Sequence, residues 1–312
     1  MCQYIHLSVI SKPLEKDINW VNIISCLFNF YFSASTFELG DMDVIFHLFT
    51  RNNPTLSQAL VPSTTSIMSS MFSPARDTVI TIHNFGDDVS GNFNAFVTPA
   101  VLEAEDVNLL AIDWSPGSAM YTQGLGNAVQ CGERIATFIN LLVNTFGYPA
   151  SNFRFVGVGL GAHIAGIAAE KSNGVIPHIT AIDPSLHGWT YHPNILDYEH
   201  ATTVEVIHTT AGVIGYDYPL GTIDFYPNGG TMQNSCGSDV NCSHTLGYVF
   251  YAESLQAGGS RFVATRCEDY DEARAQQCSG DRDVVFGGLG DKSGQSGVFS
   301  FQTNFAPPFA QG

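Results

Sequence analysis

The stretch FRFVGVGLGAHIAGIAAE, Phe153 to Glu170, reads as an apolar strand, a glycine turn and a helix of small residues. A turn of this kind holds the residue between its outer glycines, here Gly157 and Gly161, on a sharp bend at a strand end. That bend is where an attacking side chain is carried in nucleophilic chemistry. The residue at its centre is Gly159, which has no side chain. The segment thus predicts an α/β architecture and withholds the group that such a bend would present.

The pattern extends on both sides. TVITIHNFG (Thr78 to Gly86) and VNLLAIDWSPG (Val107 to Gly117) are apolar strands that end in glycine or proline-glycine loops. NAVQCGERIATFINLLVNTFG sets Val129, Ile135, Phe138, Ile139 and Leu142 on one helical face, with Gly147 as its stop. HITAIDPS (His178 to Ser185) and TVEVIHTT (Thr203 to Thr210) follow as further strands. Near-continuous apolar strands alternating with helices predict a mostly parallel central sheet with helices on both faces. No repeat, charge run or low-complexity linker interrupts the pattern. It reads as an N-terminal segment over 1–39 and one α/β domain over 40–312.

With 312 residues, 45% of them hydrophobic, the chain can bury a large core, and disorder is excluded. The formal charge of −17 would repel nucleic-acid phosphates and anionic membranes, so no nucleic acid is expected as a partner. Cys236/Cys242 and Cys267/Cys278 are two close-spaced pairs in loop-like sequence without zinc-site spacing. They read as short-loop disulfides of an oxidising compartment, and Cys131, in an apolar helix pattern, as a buried free thiol. Residues 1–19 do not read as a secretory signal. WVNIISCLFNFYFSAS (Trp20 to Ser35) has an apolar centre and small residues at its end, but it is too short and too interrupted for a stable membrane span. It reads as a degenerate or mis-started signal, or else as an uncleaved element packed on the domain. The sequon Asn241-Cys242-Ser243 contains a disulfide candidate and carries little weight.

In an α/β-hydrolase a nucleophile, an acid and a histidine follow one another along the chain. Asp183, in AIDPS, ends the strand after the glycine turn. His244, in NCSH, follows the first cysteine pair and precedes the helical TLGYVFYAESL. Each signal is weak alone; their order and spacing together are specific. His163 and His208 read as packing and hydrogen-bonding residues, and Asp113, Trp114 and Asp224 as scaffold.

These residues resemble the animal lipase family, which includes pancreatic lipase, lipoprotein lipase and the insect phospholipases A1. The matching segments are LFTRNNP, TIHNFG, NLLAIDW, GVGLGAHIAG, AIDPS, VEVIHT, IDFYPNGG, CSHTLGYVFYAES and the terminal FQTNFAPPFAQG, covering roughly 43–312. The resemblance implies the α/β-hydrolase fold, secretion, a Cys236–Cys242 bridge closing a lid loop and a Cys267–Cys278 bridge. It implies catalytic roles for position 159, Asp183 and His244, and an oxyanion hole from the backbone N–H groups of Phe85 and Leu160.

Three departures stand out. Gly159 replaces the family's nucleophilic serine, in the manner of the dipteran yolk proteins. Asn84 replaces the glycine of a His-Gly-Phe loop and could shift an oxyanion-hole amide. In NILDYEHA only Asp197 remains of the calcium-binding pattern, with Ile195 and His200 at the flanking positions, so no metal site is expected and no cofactor. Only Gly237 to Asn241 separate the lid cysteines, and the Gly212–Ile223 loop is short, both phospholipase A1-like traits. The chain ends without the C-terminal β-sandwich domain of pancreatic lipase, which argues against a colipase-like partner. The resulting expectation is a secreted, inactive homologue that retains a cleft for a lipid or another apolar small molecule. Two alternatives are an active carboxylic-ester hydrolase and an interaction module using the lid face.

Overall fold

The computed structural model describes residues 39–40, 42–258 and 261–312. The N-terminal segment 1–38, with its candidate signal, lies outside the described residues, as do Cys2 and Cys26.

Eleven strands form one sheet in the order β10-β9-β11-β8-β7-β6-β5-β3-β4-β1-β2. Its middle is β4 (Asn108–Asp113), β3 (Thr78–Ile82), β5 (Phe153–Val158), β6 (His178–Ile182), β7 (Thr203–Ile207) and β8 (Ile223–Pro227), and every neighbouring pair is parallel. One antiparallel edge is β1 (Ile45–Phe49) and β2 (Gln58–Leu60). On the other, β11 (Gly297–Phe301) runs parallel to β8, and β9 (Phe262–Cys267) and β10 (Arg282–Phe286) add antiparallel strands.

Strand alternation sends successive side chains to opposite faces, and both faces are covered. Ile80, Leu110, Phe155, Ile179 and Val206 lie in one core with helix α3 (Tyr121–Phe146) and helix α4 (Leu160–Glu170), through Ile135, Phe138, Ile139, Ile164 and Ile167. Their strand neighbours Val79, Leu109, Val156, Ile182 and Ile207 face a second core. That core holds Phe93 and Val97 of helix α2 (Asn92–Ala104) and Leu246 and Phe250 of helix α5 (Val240–Ser254). Burial on both faces explains why β3 and β7 carry no exposed residue. Two short helices complete the set, α1 (Thr64–Met68) and α6 (Tyr270–Ala275). The Gly147 stop caps α3 in the left-handed conformation; the helix begins at Tyr121, ahead of the apolar stripe that announces it.

Disulfides join Cys236 to Cys242 and Cys267 to Cys278, and Cys131 is a buried free thiol inside the α3 core. Among the described residues no helix is long and apolar enough to cross a membrane.

Candidate active site

The strand order reverses between β3 and β5, since β4 lies on one side of β3 and β5 on the other. Crevices at the carboxyl ends of strands around such a switch point are where open α/β sheets bind ligands. Asn84 lies just after β3, Gly159 just after β5 and Asp183 just after β6.

The β5–α4 turn is set by close backbone approach. A Cβ on Gly157 would lie 2.3 Å from the Gly161 carbonyl oxygen, and one on Gly161 would lie 2.1 Å from that of Ile82. Neither backbone can swing aside, so only glycine fits at both ends of the bend. Gly159 between them has φ 59° and ψ −117°, a left-handed conformation that strains any L side chain. Its N–H donates to the Ile182 carbonyl at 3.0 Å, which fastens the bend to the end of β6.

Asp183 is fully buried at φ 42°, a rare conformation outside glycine. Its Oδ1 accepts from the Thr209 and Thr210 backbone N–H groups at 2.8 and 2.9 Å. Its Oδ2 accepts from the Thr210 hydroxyl and, at 2.6 Å, from His244 Nδ1. Burial works to raise the Asp183 pKa; the His244 hydrogen bond and charge, with Thr210, overcome it and hold the carboxyl below its ordinary value. His244 is the fifth residue of α5, which Asp239 caps through the Cys242 N–H, and the Cys236–Cys242 bridge ties the preceding loop to the first turn. The structure therefore brings together Asp183 and His244, 61 residues apart in the chain.

The amides of Phe85 and Leu160 also converge, on an occupant that sequence reasoning missed. Asn84 Oδ1 accepts from Phe85 N at 2.9 Å and from Leu160 N at 3.1 Å. With the oxygen so placed, Asn84 Nδ2 faces His244 Nε2 at 3.1 Å and donates to it. Nδ1 of His244 then carries the proton given to Asp183. Asp183, His244, Asn84 and the two amides form one closed chain of hydrogen bonds around Gly159. The sequence held one signal for this: the departures at 84 and 159 occur in the same chain.

His163 and His208 make packing and hydrogen-bonding contacts. His163 donates from Nε2 to the Ser185 carbonyl at 2.8 Å, accepts from Leu196 N at Nδ1, and stacks on Trp189 at 3.9 Å; burial pushes its pKa down to about 3. His208 binds the Tyr216 carbonyl and Asp224 and lies flat on Tyr226. Asp113 holds the Ser115 N–H and faces His83, whose carbonyl accepts from the Trp114 indole. Asp197 caps a short turn at Tyr198–His200, its Oδ1 accepting from Glu199 N while its own N–H donates to His200 Nδ1. A cavity lined by Asp77, Arg154, His178, Tyr251 and Gly288 opens at the starting ends of β3, β5 and β6, the end opposite the bend.

A doubly wound sheet, a glycine-flanked bend after β5 and an Asp–His pair after β6 and in α5 define an α/β-hydrolase fold. The Lipase family model matches residues 29–297, and the chain belongs to that family. Human pancreatic triacylglycerol lipase is 32% identical over 265 residues, covering 76% of this chain and 57% of that one. The guinea pig (Cavia porcellus) protein of the same name is 31% identical over 264 residues, with the same coverage. The mouse protein called inactive pancreatic lipase-related protein 1 is 33% identical over 261 residues, 75% of this chain and 55% of that one. The chain thus spans a little over half the length of these relatives.

Proposed function

We propose that this protein is a secreted, catalytically silent member of the Lipase family that binds, carries or stores a lipid or another apolar small molecule. The observation that carries the reading is Gly159. The bend, the acid and the histidine are all built, and the residue they surround has no hydroxyl. A triad acts by passing the proton of that hydroxyl to histidine while the acid fixes the imidazole tautomer. Without it no acyl-enzyme forms. Phe85, next to Asn84 in the chain, is 38% exposed and packs edge-on against Tyr121, and Met120, next to Tyr121 in the chain, is 65% exposed; these exposed apolar side chains support an apolar ligand. Two disulfides and relatives named pancreatic lipases support the extracellular assignment.

The alternative is ester hydrolysis by a water that His244 activates. It needs a free imidazole lone pair, and Asn84 Nδ2 takes that position. The test is hydrolysis of p-nitrophenyl butyrate and of a phosphatidylcholine by purified wild type and His244→Ala. Both proteins are expected at the no-protein background, with lipid found by mass spectrometry after extraction of wild type. Turnover by wild type that His244→Ala abolishes would establish the hydrolase instead.

A further inference from the structure

We propose that Asn84 is a tethered occupant of the acyl site. On this view Asn84 and Gly159 are a matched pair, and the site has lost carbonyl recognition as well as its nucleophile. The inference rests on the silent-lipase reading and deepens it.

A carboxamide has the shape and polarity of an acyl group. In Asn84 the oxygen receives the two backbone N–H groups that would stabilise a substrate oxyanion, and the nitrogen points at the imidazole nitrogen that would exchange protons with a nucleophile or leaving group. The two positions that read an ester are therefore filled from within the chain. Residue 159 completes the argument. A Cβ there would lie 2.4 Å from Asn84 Cγ, 2.4 Å from Nδ2 and 2.5 Å from Oδ1, far inside contact distance. The carboxamide can sit where it does only because position 159 has no side chain, and a serine at 159 would have to expel it. Expulsion breaks three hydrogen bonds, one of them from the amide of the buried Leu160, an equilibrium cost of about a hundredfold at ordinary bond strengths. A ligand of the wild-type cleft consequently gains nothing from an ester carbonyl and is held through its apolar chain alone.

The experiment uses wild type, Asn84→Ala, Gly159→Ser and the Asn84→Ala/Gly159→Ser double variant. Alanine at 84 keeps the Cβ and removes all three atoms that clash. Hydrolysis of p-nitrophenyl butyrate is read together with labelling by a fluorophosphonate, which reports an activated serine. The double variant is expected to react with both, and Gly159→Ser to fall about 30- to 100-fold below it. A second readout does not depend on turnover. Butyramide, which carries the same carboxamide, is expected to refill the vacated site and raise the melting temperature of Asn84→Ala, while leaving that of wild type unchanged.

Gly159→Ser matching the double variant within threefold would overturn the proposal, because the carboxamide would then be no obstacle. So would butyramide acting equally on wild type and Asn84→Ala, or on neither. Selective stabilisation of Asn84→Ala with a silent double variant would uphold Asn84 as occupant and reject the site as a disabled ester hydrolase. Turnover by wild type itself would remove the silent-lipase reading, and the occupant with it.

Discussion

Asn84 links four parts of the chain: the loop after β3, the first residue of α4, and, through His244 and Asp183, the N-terminal part of α5 and the end of β6. Working active sites commonly hold unsatisfied groups, and replacing them often stabilises the protein. Here the Asn84 carboxamide, the Phe85 and Leu160 amides, His244 and Asp183 all have hydrogen-bond partners, so the opposite sign is expected. Asn84→Ala strips the Phe85 and Leu160 N–H groups of their acceptor. Each neutral hydrogen bond contributes about 1 kcal/mol net, and a buried orphan costs about 1–3 kcal/mol. The variant should unfold about 1–3 kcal/mol more easily in urea, with an unchanged m-value. Greater stability than wild type would mean that the network is strained. At this scale the sequence was partly legible. Asp183 and His244 follow from chain order after a recognisable bend. The role of Asn84 depends on its distance from residues 160 and 244, which no local pattern encodes.

Among the elements, the bend between β5 and α4 tolerates least. Gly161→Ala would set a methyl group 2.1 Å from the Ile82 carbonyl oxygen and 2.9 Å from that of His83, at the end of β3 and in the loop that carries Asn84. Overpacking of side chains costs typically 1–3 kcal/mol, and a backbone obstacle cannot repack. A loss of at least about 3 kcal/mol is expected in thermal or urea unfolding. An effect below 1 kcal/mol would show that β3 moves freely away from α4. The loop between Cys236 and Cys242 is a softer element. Cys236–Cys242 encloses a short loop, for which the chain-entropy estimate is about 2 kcal/mol. Cys236→Ser/Cys242→Ser should cost about that much while leaving the Asp239 cap of α5 in place. The parallel strands β3 to β7 were readable because burial on both faces makes their sequences continuously apolar. β1, β2, β9 and β10 were not, since these strands toward the two ends of the sheet mix buried residues with partly or fully exposed ones. α2 was hidden by Pro99, which sits inside the helix where proline normally argues against one.

For the molecule as a whole, two electrostatic effects of opposite sign act as the pH falls. The formal charge of −17 makes the folded chain repel itself near neutrality, and that repulsion fades toward the isoelectric point near 4.7. Acidification from pH 7 to about 5 should therefore stabilise the protein modestly, and added salt should do the same at pH 7. Below that range the buried carboxylates dominate. Glu205, in the middle of β7, is fully buried. Its Oε1 accepts from Lys292 and from the Gly287 N–H at 2.9 Å, and its Oε2 faces His178 at 3.3 Å. Burial works to raise its pKa, but the Lys292 charge and the His178 contact outweigh it and bring the value down to about 2. A pKa depressed in the folded state means that the unfolded chain takes up the proton first. The stabilisation from Glu205 is complete above about 4.5 and is lost as the pH falls through about 2. Over that window it amounts to about 3 kcal/mol, at 1.36 kcal/mol per pH unit. Asp113, held at about 2, and Asp183 add to the loss with the same sign. Urea unfolding between pH 7 and pH 2.5 should show a stability maximum near pH 5 and a fall below pH 4 of more than one proton's slope. Glu205→Gln leaves Lys292 without its partner and should be less stable at pH 7 by about 3–5 kcal/mol. Its curve below pH 4 should be flatter than wild type by about one proton. If the two curves run parallel, another carboxylate controls acid unfolding, and Asp183→Asn becomes the variant that should flatten it.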